Sequence, residues 1–275
     1  MKIKLGLSTC PNDTFIFDAI VNKKINLYDL EFDVLMADVE ELNVLAFKGE
    51  LDMTKISFHA YGYIADKYKI LSSGSALGFG NGPLLIAKKY MAYDQIPLSK
   101  IAIPGRYTTA NLLLHIAFPQ ANNLVEMLFS EIESAVLEEK ADIGLIIHES
   151  RFTYEEKGLV KLMDLGQFWE QSTALPCPLG GIIVKRSLPV HVQNQLNEIM
   201  RKSVLHAMNN PSEPEQFMRK YAQEMDPEVM YSHVNLYVNE FTKDLGTVGR
   251  QAIITLLRKA MEIGMFDSLP DTIFV

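Results

Sequence analysis

The residues able to bind an anion or move a proton fall in four short stretches. His148 follows Ala141-Asp142-Ile143-Gly144-Leu145-Ile146-Ile147, an apolar run with the character of a strand buried on both faces. In open α/β sheets ligands bind beyond the carboxyl ends of the strands, so His148 points into whatever crevice the fold has. An imidazole with a pKa of about 6.5 exchanges its proton near neutrality. A lone histidine there is ordinarily a core residue bonded to a backbone carbonyl, and only converging polar groups make it a base. Three other stretches converge. Lys55-Ile56-Ser57 ends a predicted first-lobe strand, Thr108-Thr109-Ala110 opens a predicted helix, and Ser8-Thr9-Cys10-Pro11-Asn12 offers hydroxyl, thiol and amide groups ahead of another helix. Free N–H groups at a helix start bind a carboxylate or phosphate without a full positive charge. Taken singly, Thr108 is an N-cap, Ser57 a satisfied strand-end hydroxyl and Lys55 a solvated cation. Together they describe an anion-recognising cleft with one titratable base.

Other residues are weighed against that cleft. Ser8, Cys10 and Asn12 are read as lining it. Cys10 precedes a helix, where a thiol pKa can fall, but no histidine neighbours it in sequence, so it is read as lining and not as a nucleophile. His59, just past Ser57, either reaches the cleft or faces the core. Trp169 is placed in a loop with Phe168, either covering an aromatic ligand or packing near a hinge. Gly78-Phe79-Gly80-Asn81-Gly82 precedes a strand pattern and not a helix, so no dinucleotide fingerprint is present. His148-Glu149 lacks the second histidine of a helical zinc motif, and no metal or cofactor is expected. The net charge of −8 over 275 residues disfavours nucleic acid. Two cysteines are too few for a disulfide framework. Met1–Leu5 runs straight into a strand pattern, and no apolar segment reaches membrane-span length, so a cytoplasmic location is expected.

Strand and helix patterns alternate: strands at 3–7, 30–36, 52–57 and 70–76, and helices at 13–22, 39–48 and 60–67, with Gly49 capping the second helix. This is α/β with a mostly parallel sheet. Lys100-Ile101-Ala102-Ile103 through Leu114 repeats the strand, polar turn and helix of Lys2 through Ile16, and the strand end at His148 echoes that at Ser57. Two related lobes follow. Gly82–Lys89 and Gly180–Arg186 are both Gly-led apolar strands closed by two cations and are read as the crossings. The expected division is a larger domain of residues 1–88 and 185–275, and a smaller one of residues 89–184. Helices at 190–208, 213–225, 227–245 and 247–263 pack on the larger. The architecture expected is two-lobed, of the periplasmic-binding-protein type II kind, with a cleft that closes on a small molecule.

The chain resembles the 1,4-dihydroxy-6-naphthoate synthases of the futalosine route to menaquinone. The marks are Ser8-Thr9-Cys10-Pro11-Asn12-Asp13-Thr14-Phe15, Asp52-Met53-Thr54-Lys55-Ile56-Ser57, Gly82-Pro83-Leu84-Leu85, Thr108-Thr109-Ala110-Asn111-Leu112-Leu113 and Ile146-Ile147-His148-Glu149. Asp164-Leu165-Gly166 with Trp169, then Leu179-Gly180-Gly181, extend the match. Thr9 stands where the family usually has proline, and Phe168 where a second tryptophan is common. The resemblance implies a lyase that converts cyclic dehypoxanthine futalosine to the naphthoate and a sugar-derived fragment. It implies that His148 is the proton acceptor and that Lys55, Ile56, Ser57, Thr109 and Ala110 belong to substrate-contacting segments. A non-catalytic carboxylate-binding protein and a chorismate dehydratase of the same pathway are the alternatives; Pro11-Asn12-Asp13-Thr14 and His148 favour the naphthoate synthase.

Overall fold

The computed structural model describes residues 1–148, 150–221 and 226–275. Glu149 and the last four residues of the helix expected over 213–225 lie outside them. The first lobe opens with β1 (Lys2–Ser8), α1 (Pro11–Val21), β2 (Glu31–Ala37), α2 (Val39–Phe47), β3 (Met53–Ser57) and the short α3 (Phe58–Gly62). Next come β4 (Tyr68–Ile70) and β5 (Ala76–Gly78). The second sheet is drawn from β6 (Leu84–Ala87), β7 (Ile101–Ile103), β8 (Leu124–Glu126), β9 (Ile143–Ile146) and β10 (Val160–Asp164). Around it lie α4 (Thr109–Ala117), α5 (Ile132–Leu137), α6 (Ser150–Thr153) and α7 (Leu165–Thr173). The long β11 (Cys177–Lys185) returns to the first sheet, followed by α8 (Val190–Asn209), α9 (Glu215–Tyr221), α10 (Pro227–Tyr237), α11 (Glu240–Lys243) and α12 (Gly246–Glu262).

The repeat seen in sequence is a repeat of topology. The first sheet runs β2-β1-β3-β11-β4, with β5 also on β11, and the second runs β8-β7-β9-β6-β10. In each, three parallel strands are followed by one antiparallel strand: β11 beside β3, and β6 beside β9. The sheets are therefore mixed. The register sets Ser57 opposite Gly180 and Ile146 opposite Leu84, so both loops that bear candidate residues leave equivalent strand ends.

Several expectations shift in the structure. Leu84–Ala87 belongs to the second sheet and Cys177–Lys185 to the first, so each crossing precedes its Gly-led strand instead of following it. β6 is hydrogen-bonded there on both edges, to β9 and to β10, and its four consecutive residues are buried. The strand expected over 70–76 is two short strands around a turn, where the Ser72 amide donates to Asn197 and Gly74 takes φ +90°. The helix over 227–245 breaks at Asn239, whose side chain caps α11 in a reciprocal box with Thr242. α1 packs on α8, α9 and α10. A continuous apolar core joins the lobes, with Tyr61 and Tyr68 on one side and Leu112, Leu145 and Trp169 on the other.

Candidate active site

A cavity partly open to solvent lies between the two sheets. Its first wall grows from the end of β1 and the start of α1. Cys10 is the N-cap of α1 and Pro11 sets its first turn, which turns Asp13 back under the loop. The Asp13 carboxylate accepts from the Ser8 hydroxyl (2.7 Å), the Asn12 amide (2.9 Å) and the Lys55 ammonium (2.5 Å). Both charges of this pair are buried. The cation is thus fixed at the cavity wall and partly neutralised, as a buried charge must be. Ser57, two residues on, is held by Asn43, whose side chain donates to its hydroxyl (3.2 Å) and accepts from its amide (3.0 Å).

The facing wall is the first turn of α4. Thr108 caps it by accepting from Asn111 N and also donates to Gly105 O at 2.8 Å. The Thr109 hydroxyl donates to Leu179 O (2.5 Å) and accepts from His59 N (3.3 Å). Both hydroxyls are therefore engaged by protein, whereas the amides of Thr109 and Ala110 have no acceptor among the described residues. Of the groups expected to hold an anion here, the two amides are left to donate to a ligand, while both hydroxyls are already engaged by protein.

His148 enters from the second lobe, two residues past β9, in a left-handed conformation with φ +58°. A non-glycine residue held there is costly and marks a site where the surroundings dictate geometry. Its ring meets the first lobe. Cys10 Sγ lies 3.4 Å from Nδ1 and 3.7 Å from Nε2, and Phe129 presents its edge at 4.8 Å between centroids. The fully buried His233 of α10 stacks at 5.9 Å with the planes 24° apart.

Ser8, Asn12, Lys55, Ser57, Thr108, Thr109, Ala110 and His148 line this one cavity. Three candidates do not. Ile56 is fully buried and turns its side chain into the core between Lys55 and Ser57. Trp169 lies in α7 and not in a loop; it is fully buried, and its indole donates to Pro176 O at 3.0 Å. Asp164 builds that helix by accepting from Gly166 N and Gln167 N. Cys10 lies beneath the wall, against the His148 ring. His59 faces inward: its Nδ1 lies 3.2 Å from Thr108 O, and burial lowers its pKa to about 4. Sequence reasoning missed Asp13, Asn81, Leu179 and Tyr237 as lining residues, and His233 behind them. The motif around Asp13 was the one available signal; the helix bearing Tyr237 and His233 gave none. Among the described residues no group of three or more His, Cys, Asp or Glu is arranged to hold a metal ion. No helix there is long and apolar enough to cross a membrane.

A family model described as menaquinone biosynthesis matches residues 3–262. A 1,4-dihydroxy-6-naphthoate synthase from Thermus thermophilus is 41% identical over 273 residues, 99% of each chain. The chain belongs to the menaquinone biosynthesis family. A solved member-like structure from Archaeoglobus fulgidus is 38% identical, covers 96% of this chain and 98% of its own, and superposes with a TM-score of 0.91. The ligand-binding component of an ABC-type import system from Staphylococcus aureus is 16% identical, with a TM-score of 0.72 over 100% of this chain and 96% of its own. This menaquinone biosynthesis protein therefore has a two-lobed, periplasmic-binding-protein-like fold.

Proposed function

We propose that the chain is a lyase that converts cyclic dehypoxanthine futalosine to 1,4-dihydroxy-6-naphthoate, with His148 as the proton acceptor and no cofactor. The observation that carries this reading is the convergence of an imidazole and two unengaged helix-start amides on one cavity between the lobes. The family and the name of the Thermus relative support the pathway and the naphthoate product. The substrate carboxylate rests on the Thr109 and Ala110 amides, and Ser57 closes the grip from the first lobe. Lys55, held by Asp13, adds positive potential without donating its proton. Closure of the cleft excludes water and holds an acidic position of the fused ring against His148. His148 takes that proton, and the ring–sugar linkage fragments because an aromatic naphthalene is left. A cytoplasmic location is part of the same reading.

The test is incubation of the wild-type protein and His148→Ala with cyclic dehypoxanthine futalosine, followed by ultraviolet absorbance and mass spectrometry. Wild type should release the naphthoate, and the variant should lose about 10²–10⁴ in kcat with KM largely spared. Binding without conversion by either protein would replace the lyase by a solute-binding role. Equal conversion by both would keep the enzyme and remove His148 as its base.

A further inference from the structure

His233 is buried in contact with the proposed base, yet nothing in its surroundings uses its chemistry. The residue is 0% exposed, and neither ring nitrogen has a hydrogen-bond partner among the described residues. Buried polar atoms are nearly always paired, and an apolar ring of similar shape would avoid the desolvation that both nitrogens suffer here. An exception of this kind at a site is expected to serve it. On one side His233 stacks on His148, and on the other it lies 4.6 Å from the ring of Tyr237, which lines the cavity.

Among the described residues, three groups act on this ring. They are His148 from the second lobe, Lys55 from β3 and Tyr237 from its own helix. Of the carboxylates on α1, which packs against α10, Asp13 is committed to Lys55 and Asp18 to Lys24. Burial, then the charges of His148 and Lys55, holds the His233 pKa well below its ordinary value. Both effects favour the neutral ring. Among the described residues neither nitrogen is bonded, so no partner there fixes which one carries the proton.

We propose that His233 is a positioning residue for the base: a neutral imidazole whose two unbonded nitrogens give it a ring dipole beside His148 that favours the charged form of His148. The proton lost by the substrate stays on His148, and His233 gains none. This inference rests on the reading of His148 as the base only for its effect on turnover; the coupling between the two rings stands apart from it.

The experiment compares wild type with His233→Phe, which keeps an aromatic ring and removes both nitrogens. Two readouts are taken: NMR titration of the His148 ring without substrate, and the pH dependence of kcat and kcat/KM. Loss of the ring dipole should lower the His148 pKa by about half a unit to one unit. It should also move the acid limb of kcat/KM to lower pH and reduce kcat by about 5- to 20-fold, with KM within about 3-fold. Melting temperature should hold or rise, because two unpaired buried nitrogens are gone. If the phenyl ring does not fit, His233→Leu makes the same loss of polarity in less volume, and His233→Gln should recover part of the titration shift. An unchanged His148 titration in a folded apolar variant overturns the proposal, whatever the activity. A shifted titration together with full turnover by His148→Ala upholds the ring coupling and removes only the base assignment.

Discussion

His59 and Asp13 are buried ionisable residues in contrasting surroundings. His59 is held neutral by burial, which lowers its pKa to about 4, against the opposing pull of the Thr108 carbonyl. Between that value and the unfolded pKa of about 6.5, the unfolded chain binds the extra proton, so stability rises with pH in this window. Urea denaturation should show a loss of up to about 3 kcal/mol between pH 7 and pH 4 from this residue, and His59→Gln should flatten the profile. His233, shifted in the same direction by its own burial, leaves a remaining slope. Asp13 accepts from the Lys55 ammonium and from two further donors. Asp13→Asn leaves that cation buried without a counter-charge, and the free energy of unfolding should fall by about 3–5 kcal/mol in denaturant titrations. The sequence told less about these residues than about His148. His148 interrupts an apolar run, whereas His233 and Tyr237 fall with Met230 and Val234 at helical spacing and read as ordinary packing.

At the scale of elements, α4 does most to shape the site, and its cap was legible because Thr108-Thr109 ahead of an apolar run has one reading in helix chemistry. The partners of the Thr109 hydroxyl were not legible, since they lie 50 to 70 residues away in sequence. Thr109→Val removes the bond to Leu179 O and the acceptor of His59 N while leaving the amides in place. The expected result is a KM raised about 10-fold with kcat little changed, read from steady-state kinetics on the futalosine substrate. Unaltered KM would mean that this cross-link does not set the cradle. Most strands and helices followed from periodicity, and two of the misplacements share a cause. Polar residues that terminate an element in sequence here cap the next one, as Asp164 does for α7 and Asn239 for α11. The loop expected around Trp169 was lost to such a cap.

For the whole molecule, a few polar contacts add to the apolar core that joins the lobes. Glu40 of α2 accepts from Tyr107 N of the second lobe at 2.9 Å, and Asn43 ties the same carboxylate to Ser57. Burial raises the Glu40 pKa despite the Tyr107 and Asn43 bonds that oppose it. Gly105 lies against this carboxylate with φ +147°, and an added Cβ would meet Glu40 Cδ at 2.6 Å. Gly105→Ala should therefore displace the side chain and break the bond to Tyr107. We expect a cost of about 1–3 kcal/mol in stability and a larger radius of gyration by small-angle scattering. An unchanged radius would place the control of closure elsewhere.

The strand order also fixes when each half of the molecule can be completed during synthesis. All five strands of the second sheet lie between Leu84 and Asp164, so that sheet can form once this stretch has left the ribosome. The first sheet waits, because β11 must slide between β3 and β4 before either has its inner neighbour. Until Lys185 emerges, β3 presents a bare hydrogen-bonding edge in a nascent chain whose second sheet is already closed. The half that begins first is finished last.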